Sequence, residues 1–341
     1  MEYAAIDLHT AQCQIRIVGE DGQVIEDRRV PTTRERLAIV FAQRDRLRVL
    51  VEASTESEWV AEHLETLGHE VIVADPNYVL MYARRSRRIK TDKRDVAALA
   101  EACRLGIYRP AHRRSREHRR LRRQLRVRDH LIRVRTKTIN FLRAQLRAEG
   151  VRLRPGEAET ISLRTSQADL PPDLRVDLEP LLAFLMNLTD TIKSTEAPLI
   201  RRSHATPIAN RLMTTPGVGP MTALTFIAVV DTPERFPASK ALSSYLGLVP
   251  LEHSSGECQR KGRISRSGDS QMRGLLVQAA WVVMRSRHPA ATPLKRWMEQ
   301  VASRRGRGVA IVGLARRLAR ILFALWRDET VFDSAHLIQA A

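Results

Sequence analysis

The chain has 341 residues, enough for two domains of ordinary size, and 43% of them are hydrophobic. Lysine and arginine number 57 against 38 acidic residues, a formal charge of +19 that favours a polyanionic partner. With no apolar run of about 18 residues and no charged-then-apolar leader pattern, a membrane is set aside and nucleic acid in the cytoplasm is expected.

In chain order, "EYAAIDLHT" (2–10) reads as a strand with Asp7 and His9 at its end. "CQIRIVGEDGQVIEDRRV" (13–30) reads as a hairpin turning at Asp21-Gly22. A helix over 33–46 follows, then a buried strand, "LRVLVEAS" (47–54), that ends near Glu52. Thr55 and Glu58 have capping-box spacing for a helix to Leu67, and "HEVIVADP" (69–76) is a strand stopped by Pro76. That order predicts a mixed sheet with helices against it. "IKTDKRDVAALAEACRLG" (89–106) then opens a helix with Asp92 and Asp95, three apart and so on one face.

Residues 115–150 contain no proline and no glycine before Gly150. Leu121, Leu125, Leu131 or Ile132, Ile139, Leu142 and Leu146 keep a three-four spacing. One long helix with a narrow apolar seam and an arginine-dense remainder is predicted. Its Arg119, Arg122, Arg123 and Arg126 are expected to neutralise nucleic-acid phosphates. After a proline-punctuated stretch (154–172), a second helix over 174–203 carries Leu178, Leu181, Leu182, Leu185 and Leu188. The two helices read as an antiparallel pair or a dimerising coiled coil. The last third, from "MTTPGVGPMTALTFIAVV" (213–230), is predicted to be mostly helical, with a core helix marked by Val309, Ile311, Val312, Leu314, Leu318, Ile321 and Leu322. The expected division is 1–112, 113–205 and 206–341. Cys13, Cys103 and Cys258 lie far apart, with neither zinc spacing nor a disulfide framework.

Asp7, Glu52, Asp92 and Asp95 sit at strand ends and a helix start, where an α/β sheet gathers a site. Four such carboxylates repel one another unless a cation neutralises them, and hard oxygen donors favour Mg²⁺ or Mn²⁺. Two ions would clamp the attacking and leaving oxygens of a phosphodiester. The plainer alternative makes each a turn, cap or helix-dipole residue, and Glu56 and Glu58 compete with Glu52. In "TPGVGPMTA" (215–223), Gly217 and Gly219 would let backbone N–H groups approach a phosphate, unless the segment is only a tight interhelical turn. In "YLGLVPLEHSSGECQRKGRISRSGDSQMRGLL" (245–276), Ser254 and Ser255 precede Gly256, with Lys261 and Arg263 close behind. A serine in such positive surroundings is either a nucleophile towards phosphate or a loop residue, and Ser265 and Ser267 satisfy the same chemistry.

Taken together, "AAIDLH", "VLVEAS", "KTDKRDVAALAEA", "TTPGVGPMTAL", "ALSSYLGLVPLEHSSGE" and "KGRISRSGDSQMRGLL" resemble the DEDD-type transposases of bacterial insertion sequences, the bridge-RNA-guided recombinases, over nearly the whole chain. The resemblance implies an α/β RNase H-like (RuvC-like) domain with Asp7, Glu52, Asp92 and Asp95 as its acidic quartet. It implies a long α-helical coiled-coil linker, then a mainly α-helical domain with a helix-hairpin-helix-like turn and Ser255 as the nucleophile. It further implies donor and target DNA, a non-coding bridge RNA, and dimers or tetramers in which two subunits build each active site. Lys261 or Arg263 would stabilise the charge developing at phosphate. Two rival functions stand beside this one. The first is an RNase H-fold nuclease or Holliday-junction resolvase using water, and the second is a non-catalytic architectural binder.

Overall fold

The computed structural model describes residues 1–82, 92–255 and 258–335, and the chain divides into two units, Met1–Arg113 and Arg114–Ala341. In the first unit, β1 (Tyr3–Leu8), β2 (Gln12–Val18) and β3 (Val24–Pro31) form an antiparallel meander. The Asp21 carboxylate accepts the Gln23 N–H at 3.0 Å in the expected turn. β4 (Arg48–Glu52) pairs parallel to β1, and β5 (Glu70–Ala74) parallel to β4, giving the order β3-β2-β1-β4-β5.

Side-chain alternation divides this sheet into two apolar layers. Ile6, Ile15, Val49 and Val51 face α1 (Arg34–Phe41) and α2 (Ser57–Thr66), meeting Leu37, Phe41, Val60 and Leu64. Ala5 and Leu50 face α3 (Asp92–Leu105), meeting Val96, Leu99 and Cys103.

Two local expectations are corrected here. The helix over 33–46 is capped by Thr33, which accepts the Arg36 N–H at 3.3 Å, but it ends at Phe41. Phe41 is its last core side chain, and the chain must turn at once to bury Leu47 at the head of β4. The Thr55–Glu58 capping box does not form. Ser57 instead donates its hydroxyl to the Ser54 carbonyl at 3.0 Å and accepts the Ser54 N–H at 3.1 Å. Glu58 pairs with Arg113 at 3.0 Å, a charge-assisted bond stronger than the cap it forgoes.

The second unit begins with α4 (Arg116–Ala148), the long helix expected from its leucine seam. It is followed by α5 (Ile161–Ser166) and α6 (Pro172–Ala205). α4 and α6 run antiparallel: Glu117 meets Arg202 at 2.6 Å, while Ile139, Leu142 and Leu146 pack with Leu178 and Leu185 at the other end. The seam also holds Arg135, only 8% exposed, whose charge is met by Glu159 at 2.9 Å. Pro180 and Pro198 lie inside α6 on its exposed side, where the carbonyls they leave unbonded reach water.

α7 (Pro207–Met213), α8 (Pro220–Val230) and α9 (Ser239–Tyr245) come next. Beyond its first two residues α8 is buried throughout, as a helix apolar all round must be. It shares its core with α10 (Ser270–Arg285), α11 (Thr292–Arg305) and α12 (Arg307–Arg327). Between α9 and α10 lies an antiparallel hairpin that a mostly helical reading does not contain, β6 (Pro250–Ser255) with β7 (Cys258–Ile264). Its sequence is poor in β-branched residues, so cross-strand pairing rather than propensity must hold it.

At the base of the hairpin two backbone segments cross in near contact. Gly247 (φ 66°) and Gly268 (φ 72°) meet the segments around Ser267 and Tyr245, and a Cβ at either would lie 2.2 Å or less from a carbonyl oxygen. Gly268→Ala is therefore expected to lower the unfolding free energy by about 3 kcal/mol or more in chemical denaturation. Gly274→Ala, with nothing within 4 Å of the new Cβ and a helical position in α10, should raise it by up to about 1 kcal/mol. Equal effects at the two glycines would contradict the crossing.

Candidate functional site

Asp7 and Glu52 reach their positions through the β1–β4 ladder. The last paired positions are Ile6 and Val51, so Asp7 and Glu52 stand side by side one step further on. Alternation gives both to the α3 face, because Ala5 and Leu50, two residues earlier on each strand, lie in the layer under that helix. α3 runs against β4. Its Cys103 thiol lies 3.4 Å from the Arg48 carbonyl, at the head of β4. Asp95 is eight residues back along the helix, about 12 Å. Glu52 is four residues on along the strand, about 13 Å. Asp95, 8% exposed, is thus level with Glu52. Asp7 lies 3.7 Å from the His9 imidazole. Asp92 opens α3 one turn earlier, and its side chain lies outside the described residues.

The competitors of Glu52 are engaged elsewhere. Glu56 accepts the Trp59 indole N–H, and Glu58 holds Arg113. Among the described residues no three His, Cys, Asp or Glu side chains are arranged to hold a metal ion. In donor type Asp7, Glu52 and Asp95 nevertheless suit a hard divalent cation, since each donor is a carboxylate and the strand pairing sets Asp7 and Glu52 side by side at one end of the sheet.

The basic helix is less uniform than its sequence. Arg122 binds Asp269 at 2.6 Å, and Asp269 also caps α10 by accepting the Met272 N–H at 2.9 Å. Burial of Asp269 works against its ionisation, but the Arg122 bond, the Met272 amide and nearby Arg126 prevail and hold its carboxyl below the usual carboxylate range. Arg119 donates to the Arg114 carbonyl at 2.7 Å. Arg123 and Arg126 are exposed, Arg126 with one end 3.7 Å from Asp269, while Arg122 ties α4 to α10.

Gly217 has φ 82°, and a Cβ there would come within 2.5 Å of the Ala279 carbonyl of α10. That contact by itself demands glycine at this position. Gly219 caps α8 and has open space around it. Ser255 ends β6 opposite Cys258, while the side chains of residues 253–261, Lys261 among them, lie outside the described part. Arg263 is exposed, and the Ser265 and Ser267 hydroxyls are 2.9 Å apart. Sequence reasoning missed Asp269 and Arg273. Arg273 donates to the Leu246 carbonyl at 3.2 Å and to Ser267, tying the hairpin base to α10. An aspartate just before the apolar run of α10 is the N-cap signal that would have found the first.

Two family profiles match the chain. A DEDD profile described as "Transposase" covers residues 4–149, and one described as "Transposase IS116/IS110/IS902 family" covers 209–295. A probable family 20 transposase of Pseudomonas aeruginosa is 31% identical over 338 residues, 97% of this chain and 99% of that protein. The transposase for insertion sequence element IS1111A of Coxiella burnetii is 28% identical over 331 residues, 95% of this chain and 90% of that one. A pilin gene-inverting protein of Moraxella lacunata is 32% identical over 126 residues, 37% of this chain and 38% of its own length. The DEDD profile implies an RNase H-like fold and dependence on a divalent metal, in keeping with the mixed five-stranded sheet. Among the described residues no helix is long and apolar enough to cross a membrane.

Arg122→Gln should cost about 2 to 3 kcal/mol of stability, because it removes the close partner of buried Asp269 and leaves only Arg126, at 3.7 Å, to offset its charge. Arg123→Gln, at an exposed position, should change it by less than about 0.5 kcal/mol. The folded-state pKa of Asp269 lies below its unfolded value, so this contribution is present above about pH 4 and is lost as pH falls through the folded pKa. Denaturation of the wild type and Arg122→Gln should converge in acid. A constant gap across that range would contradict the pairing.

Proposed function

We infer a division of labour for a chain that belongs to the IS116/IS110/IS902 family of DEDD-type insertion-sequence transposases and is a DNA transposase. Residues 1–112 are the RuvC-like catalytic domain, with Asp7, Glu52, Asp92 and Asp95 holding Mg²⁺ or Mn²⁺. Residues 113–205 are a coiled-coil linker, and residues 206–341 are a transposase domain with Ser255 as nucleophile and a helix-hairpin-helix-like turn at 215–223. The observation that carries this reading is the meeting of Asp7 and Glu52 on one face and end of the sheet, with Asp95 level with them.

When bound, the metal supplies charge neutralisation at the scissile phosphate. The protein's own part is to hold the ligands and present the hydroxyl. Ser255 Oγ forms a bond to phosphorus as one bond from phosphorus to a deoxyribose oxygen breaks, and the serine proton goes to the released sugar hydroxyl. The number of phosphoester bonds is unchanged, so the sugar hydroxyl of another end can reverse the step without ATP. Lys261 and Arg263 offset charge on the phosphate oxygens. The similarity to a pilin gene-inverting protein supports cutting followed by rejoining. Guidance by a bridge RNA rests on the family resemblance. Assembly into dimers or tetramers is supported by exposed apolar side chains on α4 and α6, including Phe141 (57%), Val176 (67%) and Met186 (59%).

Asp95→Asn should lower strand cleavage by at least about 100-fold while leaving circular dichroism and DNA affinity unchanged. Ser255→Ala should abolish a protease-sensitive protein–DNA adduct. Cleavage at the wild-type rate in Asp95→Asn would refute the acidic site. Full cleavage without adduct in the serine variant would favour the water-using nuclease.

A further inference from the structure

Just ahead of the hairpin base, two guanidinium groups meet at one tyrosine, with a third close to one of them. Arg114, the residue before the Ser115 cap of α4, donates to the Tyr245 hydroxyl at 2.6 Å. Arg235 lies 4.3 Å from the centre of the Tyr245 ring and 4.9 Å from that of Phe236. Arg122 is close enough to oppose the charge on Arg114. Burial pushes the Arg114 guanidinium pKa down, and Arg122 and Arg235 push it further, against the pull of Tyr245.

These charges are poorly met by the protein. Asp269 is committed to Arg122 and to the Met272 amide. Asp231 is committed to Ser115 and, at 2.7 Å, to His118, and Glu234 accepts the Thr232 hydroxyl. Among the described residues neither Arg114 nor Arg235 has a carboxylate partner. Arg114 Nε, Arg122 Nε and Arg235 Nη1 are buried donors with no acceptor. Half-buried like charges with orphaned donors are costly to a free protein. They become favourable when an anion sits among them, and guanidinium forks match phosphate oxygens. The Tyr245 hydroxyl accepts from Arg114, so its own proton is left to donate.

We propose that Arg114 and Arg235, with the Tyr245 hydroxyl between them, bind a phosphate of the DNA backbone. The site stands at the foot of the Ser255 hairpin, because Tyr245 leads directly into the Gly247–Gly268 crossing. β6 runs about 17 Å from that foot to Ser255, about five nucleotides of one strand at 3.4 Å axial rise each. A phosphate held there sets which part of a bound strand the hairpin can reach.

The test is binding of the full chain to a short DNA duplex, followed by fluorescence anisotropy across a salt series in EDTA. Binding without metal keeps the outcome separate from the fate of the acidic site. Arg235→Gln should weaken binding several-fold for any sequence and reduce the slope of log affinity against log salt by about 1. Its melting temperature without DNA should hold or rise, since one repelling charge is gone. Tyr245→Phe keeps the ring stack and the charges, so it should weaken binding with the slope unchanged. An unchanged slope in both Arg114→Gln and Arg235→Gln would overturn the proposal. So would a fallen melting temperature with unchanged DNA affinity, which would make the cluster a packing device. Protection by inorganic phosphate with no change in duplex binding would make it a free-anion site and would equally overturn it.

Discussion

Because β1 and β4 run parallel in one register, Asp7 and Glu52 leave the sheet from the same end and the same face. A shift of one residue in either strand would send its carboxylate to the opposite layer, among Leu37, Phe41 and Val60. The register is held from both sides: Ile6, Val49 and Val51 are buried under α1 and α2, and Ala5 and Leu50 under α3. Small Ala4 and Ala5 in β1 sit at the centre of these layers and let helices approach on both faces. α3 then adds Asp95 by running against β4. The pairing that builds the core thereby sets Asp7 and Glu52 side by side, and the core cannot form without doing so.

The second unit solves a different problem, how to fold with a large excess of arginine. Some guanidiniums are consumed as fixtures. Arg122 holds the cap of α10, Arg135 lies in the α4–α6 seam against Glu159, and Arg273 ties down the hairpin base. Asp231 works at the start of α4. It sits at φ 68°, an uncommon conformation for a residue other than glycine, and its carboxylate receives the Ser115 hydroxyl and the His118 ring. Its strained backbone places one acidic group where the end of α8 meets the start of α4. A count of basic residues cannot separate these fixtures from the arginines left exposed, such as Arg123.

What was legible in the sequence was whatever repeats locally. The strand ends at Asp7 and Glu52, the Asp21-Gly22 turn and the leucine seam of α4 all follow from periodicity or turn chemistry over a few residues. The Thr55–Glu58 cap was misread because the partner that outcompetes it, Arg113, lies 55 residues away. The pairing of Arg122 with Asp269 was likewise illegible, the two being 147 residues apart. The β6–β7 hairpin carries almost no β-forming side chains, so only its pairing reveals it. Gly217 looked like a phosphate-binding glycine, and its contact with Ala279 shows a packing demand that the turn motif does not express.

The central claim is that the α3 face of the sheet, at the ends of β1 and β4, is where a divalent ion binds. Iron-directed cleavage of the polypeptide reads this directly. Fe²⁺ in place of the native metal, with ascorbate and peroxide, generates hydroxyl radicals that cut the backbone beside the ion. The account predicts cuts near residues 7, 52 and 92–95 together, all suppressed by excess Mg²⁺. Cuts elsewhere that Mg²⁺ suppresses, or none at these three segments in the folded protein, would contradict it.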